Sequence, residues 1–235
     1  MKNQFMKTFL TNYSLYEKIF LATAIAVQIV IFCITPDNPL NLVAGITGIL
    51  SSVLCSKGKI EFFLIGLIQI IAYMILAWQT RFYGVFLENL FYLVTTTWCA
   101  IAWKKHLHTD ENGTKTVKIK RATTIMWLVS IISVAITTVA TGAILTKVGG
   151  AQPYADAAMI VMSVLAQFLM IYRYREQWVW WVVVDLLCIK MWLVAGNWSM
   201  VVMSTAWTIN AIYGWRNWSK LNKEQNSIPS EAAKS

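Results

Sequence analysis

Apolar residues run through this chain in long blocks separated by short polar segments. Eight such blocks cover about residues 17–34, 39–56, 60–78, 82–103, 122–145, 152–171, 176–195 and 198–218. Each block is close to the ~20 residues that a helix needs to cross a bilayer. Alternation with a period of two, which is typical of membrane barrels, is absent. The pattern therefore predicts an all-α integral membrane protein with eight transmembrane helices.

The composition supports a membrane protein without a soluble domain. Hydrophobic residues make up 57% of the 235 residues and charged residues only 13%, whereas a soluble domain carries roughly 25% charged residues. The first block is longer than the core of a signal peptide, and no small-x-small cleavage site follows it before Pro36. We therefore expect the first block to be a retained helix. The four cysteines form no Cys-x-x-Cys motif and are expected to be reduced packing residues.

The distribution of basic residues predicts the orientation in the membrane. On the side that holds the N-terminus lie 17 of the 20 Lys and Arg residues. Arg81 and Lys147 fall on the other side, and Lys190 falls inside a block. Because positive charge accumulates on the cytoplasmic side, both termini are expected to be cytoplasmic. The basic residues form no stripe, so no nucleic-acid partner is expected.

An offset of 115 residues aligns the two halves of the chain, so that Glu61 falls on Glu176 and Trp103 on Trp218. Two three-helix units with one helix between them must run parallel, as the repeats of some small-solute transporters do, with substrate near mid-membrane. The predicted organisation is an extra N-terminal helix in 1–38, a first unit in 39–103, a cytoplasmic loop in 104–121, a linker helix in 122–150, a second unit in 151–218 and a cytoplasmic tail in 219–235.

The seventh block places an aspartate among tryptophans. Helical spacing puts Trp178, Trp181, Asp185, Cys188 and Trp192 on one face. An aspartate at membrane depth is costly and is expected to face protein or water. The functional interpretation makes the indoles stacking walls and Asp185 a hydrogen-bond acceptor or counter-charge. Trp178 and Trp192 also fit as interfacial anchors, because both lie near the ends of the block.

The further candidate residues at membrane depth all lie in the two units. The candidates for substrate binding are Gln69, Tyr73, Asn89, Trp207, Asn210 and Tyr213, and those for a gate are Gln79, Tyr83 and Glu88. Their restriction to the units favours a shared cavity. The alternative is that they are interhelical hydrogen bonds, worth ~0.6 kcal/mol each on average.

No pattern indicates catalysis. His106 and His108 lie in the cytoplasmic loop without the cysteine or carboxylate partners of a metal site. No phosphate-binding glycine loop, Ser/His/Asp set or paired acidic motif is found. We therefore expect no catalytic residue, no metal and no cofactor. An intramembrane lipid-modifying enzyme stays as the alternative from another functional class.

Several motifs together resemble one transporter family. The stretches Lys57–Ile60 and Ile65–Gln69, followed by Gln79, Tyr83 and Asn89–Tyr92, are similar to the first repeat of the PnuC nicotinamide riboside transporters. Trp178-x-x-Trp181-x-x-x-Asp185 resembles their signature, and Asn210–Trp218 resembles their closing motif. The likeness spans about residues 40–220. Two departures are the first-repeat ending Thr96–Trp103 and the acidic Asp185, where some members have Asn.

The resemblance implies a multi-pass importer of the bacterial inner membrane, with a SWEET-like three-plus-one-plus-three fold and often a homotrimer among membrane lipids. Such proteins take up nicotinamide riboside for NAD biosynthesis by facilitated diffusion. A cytoplasmic riboside kinase then phosphorylates the imported riboside and so traps it in the cell. Carried onto this chain, the motifs place binding residues at Trp178, Trp181, Asp185, Asn210, Tyr213 and Trp215. Similar transporters carry thiamine or riboflavin, so another vitamin, possibly with proton coupling, is the alternative.

The candidate residues suit the implied substrate. Nicotinamide riboside has a cationic planar ring, which indole faces attract by ~1–2 kcal/mol when water is excluded. Gln69, Asn89 or Asn210 would pair with its carboxamide and hydroxyls. A phosphate would meet Asp185 and Glu88 unfavourably, which predicts rejection of the mononucleotide.

Overall fold

A computed structural model describes residues 13–34, 38–79, 83–109, 115–149, 152–194, 196 and 198–227. Their helices are α1 (Leu15–Ile34), α2 (Pro39–Ser56), α3 (Phe62–Gln79), α4 (Tyr83–Lys104), α5 (Thr124–Lys147), α6 (Pro153–Ile171), α7 (Gln177–Val194) and α8 (Trp198–Ser227). Two short strands, β1 (Leu107–Thr109) and β2 (Lys115–Val117), pair antiparallel between α4 and α5.

The eight apolar blocks correspond to the eight helices. Apart from the end of α8, every helix boundary lies within two residues of the predicted one. By length and hydropathy, six of the described helices are able to cross a membrane, namely α1, α2, α3, α5, α6 and α7. The helices α4 and α8 fall outside that group, and they carry Asn89 and Asn210 at buried positions.

Six helices form a closed ring. Among the described elements, α2 packs on α3, α3 on α4, α4 on α6, α6 on α7, α7 on α8, and α8 on α2. The two other helices lie outside the ring, with α1 against α2 and α8, and α5 against α6. The side chains of α5 are largely exposed, and Gly142 is its one buried residue in the described chain. This is the surface expected of a helix that faces lipid on most sides.

One end of the ring is closed by tryptophans. The rings of Trp103 and Trp218 pack with their centroids 5.7 Å apart. The indole N–H of Trp103 donates to the Met170 carbonyl at 3.0 Å, and that of Trp218 donates to the Cys55 carbonyl at 3.1 Å. We call this the closed end; it lies beside the basic turns at 57–59 and 173–175.

The ring contacts recur along the chain at a fixed spacing. Cys55 and Met170 differ by 115 residues, as do Trp103 and Trp218, so the two indole hydrogen bonds map onto each other. The same shift maps the Asn210 to Ser52 hydrogen bond (2.6 Å) onto the Gln167 to Thr95 hydrogen bond (3.1 Å). These two bonds join α8 to α2 and α6 to α4, respectively.

The segment 104–121 is predicted only as a loop, but its described part forms hydrogen bonds to both halves of the ring. After β2 the chain runs between the turns that follow α2 and α6. The Val117 amide donates to the Gly58 carbonyl at 2.9 Å, and the Lys120 amide donates to the Arg173 carbonyl at 2.8 Å. Both Gly58 and Arg173 have a positive φ, of 66° and 65°. We call residues 117–120 the strap.

The helix α8 extends past the predicted end at residue 218 to Ser227. Its extension holds the strap. The side chain of Gln225 accepts from the Ile119 amide at 2.8 Å and donates to the Val117 carbonyl at 3.1 Å. Asn222 donates to the Ile119 carbonyl at 2.8 Å. The extension is polar, so hydropathy carries no signal for it.

Candidate substrate-binding site

The helix α7 turns its acidic face toward the inside of the ring. Asp185 is 6% exposed, and Val184 beside it is also buried. On the outer side, Leu186 is 53% exposed and Val183 is exposed as well. This is the orientation that the helical spacing predicts, with the carboxylate inward and aliphatic side chains toward lipid.

The inner side of α7 faces α4 through side chains. The ring centroid of Trp181 lies 6.5 Å from that of Tyr92 on α4. The Tyr92 hydroxyl donates to Glu88 at 3.2 Å. Cys188 lies within electrostatic range of both the Asp185 and the Glu88 carboxylates. Because the backbones of α4 and α7 have no extensive contact in the described chain, long side chains span the space between them.

Asp185 has no hydrogen-bond or ion-pair partner within the parts of the chain that the structure describes. A buried carboxylate without a partner is strongly unfavourable for folding. Such a group inside a membrane protein marks a functional site by default. Of the residues on this face, Asp185 is therefore the strongest candidate for substrate binding, because packing does not explain its burial.

A second group of predicted residues meets where α3 and α8 flank α2. A Cβ atom built on Gly48 would lie 3.0 Å from Cδ of Gln69 and 3.2 Å from Cζ2 of Trp207. The Tyr73 hydroxyl lies 3.1 Å from the Met203 sulfur. The small residue at 48 therefore makes room for an amide and an indole side by side, a combination suited to a planar, hydrogen-bonding solute.

Three predicted binding residues are buried in the described chain. Trp178 is 4% exposed, and its ring meets the edge of Trp218 with centroids 5.7 Å apart. Asn210 is buried and donates to Ser52 at 2.6 Å, which joins α8 to α2. Asn89 is buried on α4. These positions fit interhelical contacts as well as substrate contacts.

Tyr213 lies apart from Asp185, in a polar network at the closed end. Its hydroxyl donates to Glu17 of α1 at 2.8 Å, and the Lys57 ammonium contacts the same carboxylate at 2.7 Å. The Ser14 amide also donates to Glu17, at 2.6 Å. Burial lowers the pKa of Lys57, while the hydrogen bond to Glu17 opposes that shift. Sequence reasoning missed Glu17, although an acid near the start of an apolar block is a signal.

The candidate gate residues are spread over the opposite end. The Gln79 side chain accepts from Asn38 at 3.3 Å. At the same end, the predicted binding residue Trp192 is half-buried near the end of α7. The side chain of Tyr83 lies outside the described residues. Glu88 is exposed, although it shares a helix face with the buried Thr95 and Cys99. Along this face of α4, the side chains therefore change from exposed at Glu88 to buried toward the closed end.

Sequence reasoning also missed a polar contact inside the ring. Gln167 is buried, and its side-chain amide donates to Thr95 at 3.1 Å and to Thr96 at 3.3 Å. The 115-residue offset was the available signal, since it places Gln167 on Ser52 and Thr95 on Asn210.

The structure offers no evident metal centre in its described portion. No group of three His, Cys, Asp or Glu side chains comes together among those residues. The His106 ring bonds to the Ala102 carbonyl at 2.9 Å. All four cysteines are within the described ranges and are free.

Comparison with known proteins places the chain in a family. Residues 38–220 match the family model described as nicotinamide mononucleotide transporter. The chain belongs to this family, which includes the PnuC proteins. It is 36% identical to the nicotinamide riboside transporter PnuC of Neisseria mucosa, over 90% of this chain and 83% of that protein. It is 34% identical to the PnuC of Haemophilus influenzae, over 93% of this chain and 96% of that protein.

A solved structure has the same fold. The protein described as "Crystal structure of the Vitamin B3 transporter PnuC" superimposes with a TM-score of 0.83 at 33% identity, over 94% of this chain and 97% of that one. The resemblance to PnuC transporters is thus confirmed, as is the helical membrane fold. Because these relatives are named as transporters, they agree with the expectation that the chain is a transporter and not an enzyme.

Proposed function

We propose that this protein is a membrane transporter for nicotinamide riboside. Its relatives in Neisseria mucosa and Haemophilus influenzae carry that substrate in their names. One observation in the chain itself carries the proposal. Asp185 is a buried carboxylate without a partner among the described residues, one helical turn from Trp181. An acid beside an indole face suits a flat organic cation, and the nicotinamide ring of the riboside is one.

The substrate is the riboside and not the mononucleotide that the family description names. A phosphate group on the solute would approach Asp185 or Glu88, and like charges repel strongly where water is scarce. The closest cation along α7 is Lys190, whose side chain is exposed. Gln69, with Trp207 beside it, supplies the amide donor and acceptor that the ribose hydroxyls and the carboxamide require.

The helices are arranged as eight spans, with α1 as an extra helix and α5 as a linker between two parallel three-helix units at 39–103 and 151–218. The support is the pair of hydrogen-bond sets that repeat at an interval of 115 residues and the ring that they close. Because basic residues collect at one end of the helices, both termini are cytoplasmic in the bacterial inner membrane. As the resemblance to the PnuC transporters implies, the protein assembles as a homotrimer.

The proposed direction of transport depends on which end of the helix ring is open and which is closed. The tryptophans of the closed end face the cytoplasm, and the level of Glu88 is open to the other side. This conformation admits solute from outside to Asp185. Release into the cytoplasm requires the Trp103 and Trp218 contacts to separate. Movement is by facilitated diffusion, and phosphorylation by a cytoplasmic riboside kinase makes uptake one-way.

A ligand-binding experiment tests the substrate. Purified protein is heated with nicotinamide riboside, thiamine, riboflavin or nicotinamide mononucleotide at equal concentrations, because a ligand bound to the native state raises the melting temperature. The riboside alone is expected to stabilise. Trp181→Ala and Asp185→Ala should lose the effect, while the lipid-facing Leu186→Ala should keep it. Stabilisation by thiamine or riboflavin in place of the riboside would reassign the substrate.

The unpartnered Asp185 also favours a second candidate, a proton-coupled transporter in which this carboxylate titrates. Proteoliposomes that contain the protein separate the two mechanisms. Facilitated diffusion predicts that riboside uptake is the same with and without an imposed pH gradient. Uptake that accumulates riboside above its outside concentration only when the gradient is present would establish proton coupling.

A further inference from the structure

The two halves of the ring match in position but differ in charge. The 115-residue shift maps Glu88 onto Met203 and Asp185 onto Ile70. Each of these residues lies in a helix of the ring. The space between α4 and α7 therefore has two carboxylates where the corresponding space between α8 and α3 has a thioether and an aliphatic chain.

The acidic side is a connected set of groups. Tyr92 donates to Glu88 at 3.2 Å, and Cys188 lies within electrostatic range of both carboxylates. Ser163 of α6 lies beside the Tyr92 hydroxyl. Asp185 is buried and Glu88 is exposed, so the two acids lie at different depths on this side of the ring.

The opposite side is neutral. The Tyr73 hydroxyl contacts the sulfur atoms of Met203 at 3.1 Å and Met200 at 3.6 Å. Gln69 and Trp207 meet over Gly48 on the same side. These thioether, phenol, amide and indole groups carry no formal charge, so this side attracts a cation only through its aromatic faces, more weakly than a carboxylate does.

We propose that Glu88 is a specificity-determining residue that acts with Asp185 as a charge-selective wall. The inference rests on the proposed function and adds two statements to it. First, the wall selects the solute by the permanent positive charge of its nicotinamide ring more than by the shape of that ring. Second, the wall sets one orientation of the solute, with the nicotinamide ring toward α4 and α7. Among the described residues, Tyr92, Cys188 and Trp181 lie beside the two acids, and none of these three is a cation.

Two solutes that differ in charge and hardly in shape test this. The probes are nicotinamide riboside and its dihydro form, whose ring is neutral after gaining a hydride. Dissociation constants for both are measured by calorimetry on the purified wild-type protein, Glu88→Gln and Asp185→Asn. The matched control is Met203→Gln, which makes the corresponding position of the neutral half polar without adding charge. Thermal unfolding verifies that each variant is folded.

The wild-type protein is expected to bind the cationic riboside at least tenfold more tightly than the dihydro form. Glu88→Gln and Asp185→Asn should each reduce that ratio several-fold, and Met203→Gln should leave it unchanged. Because Glu88 is exposed, its variant folds even if Asp185→Asn does not. Equal wild-type affinity for the two probes, or a ratio that Glu88→Gln leaves unchanged, would overturn the inference while leaving riboside transport intact. Binding of neither probe would overturn the proposed function and the wall together.

Discussion

Replacement of Gly214 by alanine tests the packing that holds α7 against α8. A Cβ atom on Gly214 would lie 2.6 Å, 2.7 Å and 2.8 Å from three ring carbons of Trp178. Carbon atoms pack favourably at about 3.5–4.0 Å, so the indole must move by nearly 1 Å. Trp178 has little room to move, because its ring is buried against Trp218.

The expected loss of stability is the overpacking cost less the gain in helix propensity. Overpacking a tight core costs about 1–3 kcal/mol, and a change from Gly to Ala inside a helix returns up to ~1 kcal/mol. Gly214→Ala is therefore expected to lower the free energy of unfolding by about 1–2 kcal/mol. For a protein of this size that corresponds to a fall in melting temperature of roughly 2–8 °C.

Tryptophan fluorescence during thermal unfolding in detergent measures the effect. The control is Gly45→Ala, whose added Cβ would lie 3.2 Å from the terminal amide of Gln28, a group at the end of a flexible side chain. Gly45→Ala has the same propensity gain and a less severe contact, so its loss of stability is expected to be smaller than that of Gly214→Ala. In a Trp178→Leu background the cost of Gly214→Ala should largely disappear, because the clashing ring is gone. An equal cost in both backgrounds would refute the proposed clash.

Four further substitutions probe the closed end, the Glu17 ion pair and the strap. Trp103→Phe and Trp218→Phe each remove one indole hydrogen bond to a buried carbonyl and should lower the free energy of unfolding by similar amounts, about 1–3 kcal/mol each. A clearly unequal loss would contradict the correspondence of the two halves. Lys57→Met leaves the buried Glu17 carboxylate without its cation and should destabilise the protein by about 3 kcal/mol or more. Adding Glu17→Gln should restore much of this loss, because the unpaired charge is then removed. A double variant no more stable than Lys57→Met would argue against the ion pair. Gln225→Ala removes both hydrogen bonds of this side chain to the strap and should increase proteolytic cleavage between α4 and α5. An unchanged digestion pattern would show that Gln225 does not hold the strap.

The sequence predicted the helices well because the bilayer imposes one dominant rule. Every backbone group in hydrocarbon must be paired within its own segment, so long apolar blocks become helices. The start of α2 at Pro39 and its end at Ser56 are the predicted ones. The inward position of Asp185 followed in the same way, because burying a carboxylate is less costly against protein than against lipid.

Contacts between distant segments left no such pattern in the sequence. The polar end of α8 gave no hydropathy signal, and its role depends on Gln225 reaching the strap. The ion pair of Glu17 with Lys57 joins residues 40 positions apart, which neither periodicity nor spacing reveals. Trp178 satisfied the stacking pattern on its helix, but its packing partner Trp218 is known only once α7 and α8 are docked.

The central claim is that the Asp185 side of α7 binds a cationic riboside inside the ring. Equilibrium binding of radiolabelled nicotinamide riboside to the purified protein tests it most directly, with unlabelled nicotinamide mononucleotide as competitor. We expect saturable binding that the mononucleotide fails to displace, that Asp185→Ala abolishes and that Leu186→Ala retains. Binding that survives Asp185→Ala at full strength, or that the mononucleotide displaces as well as the riboside does, would contradict the account.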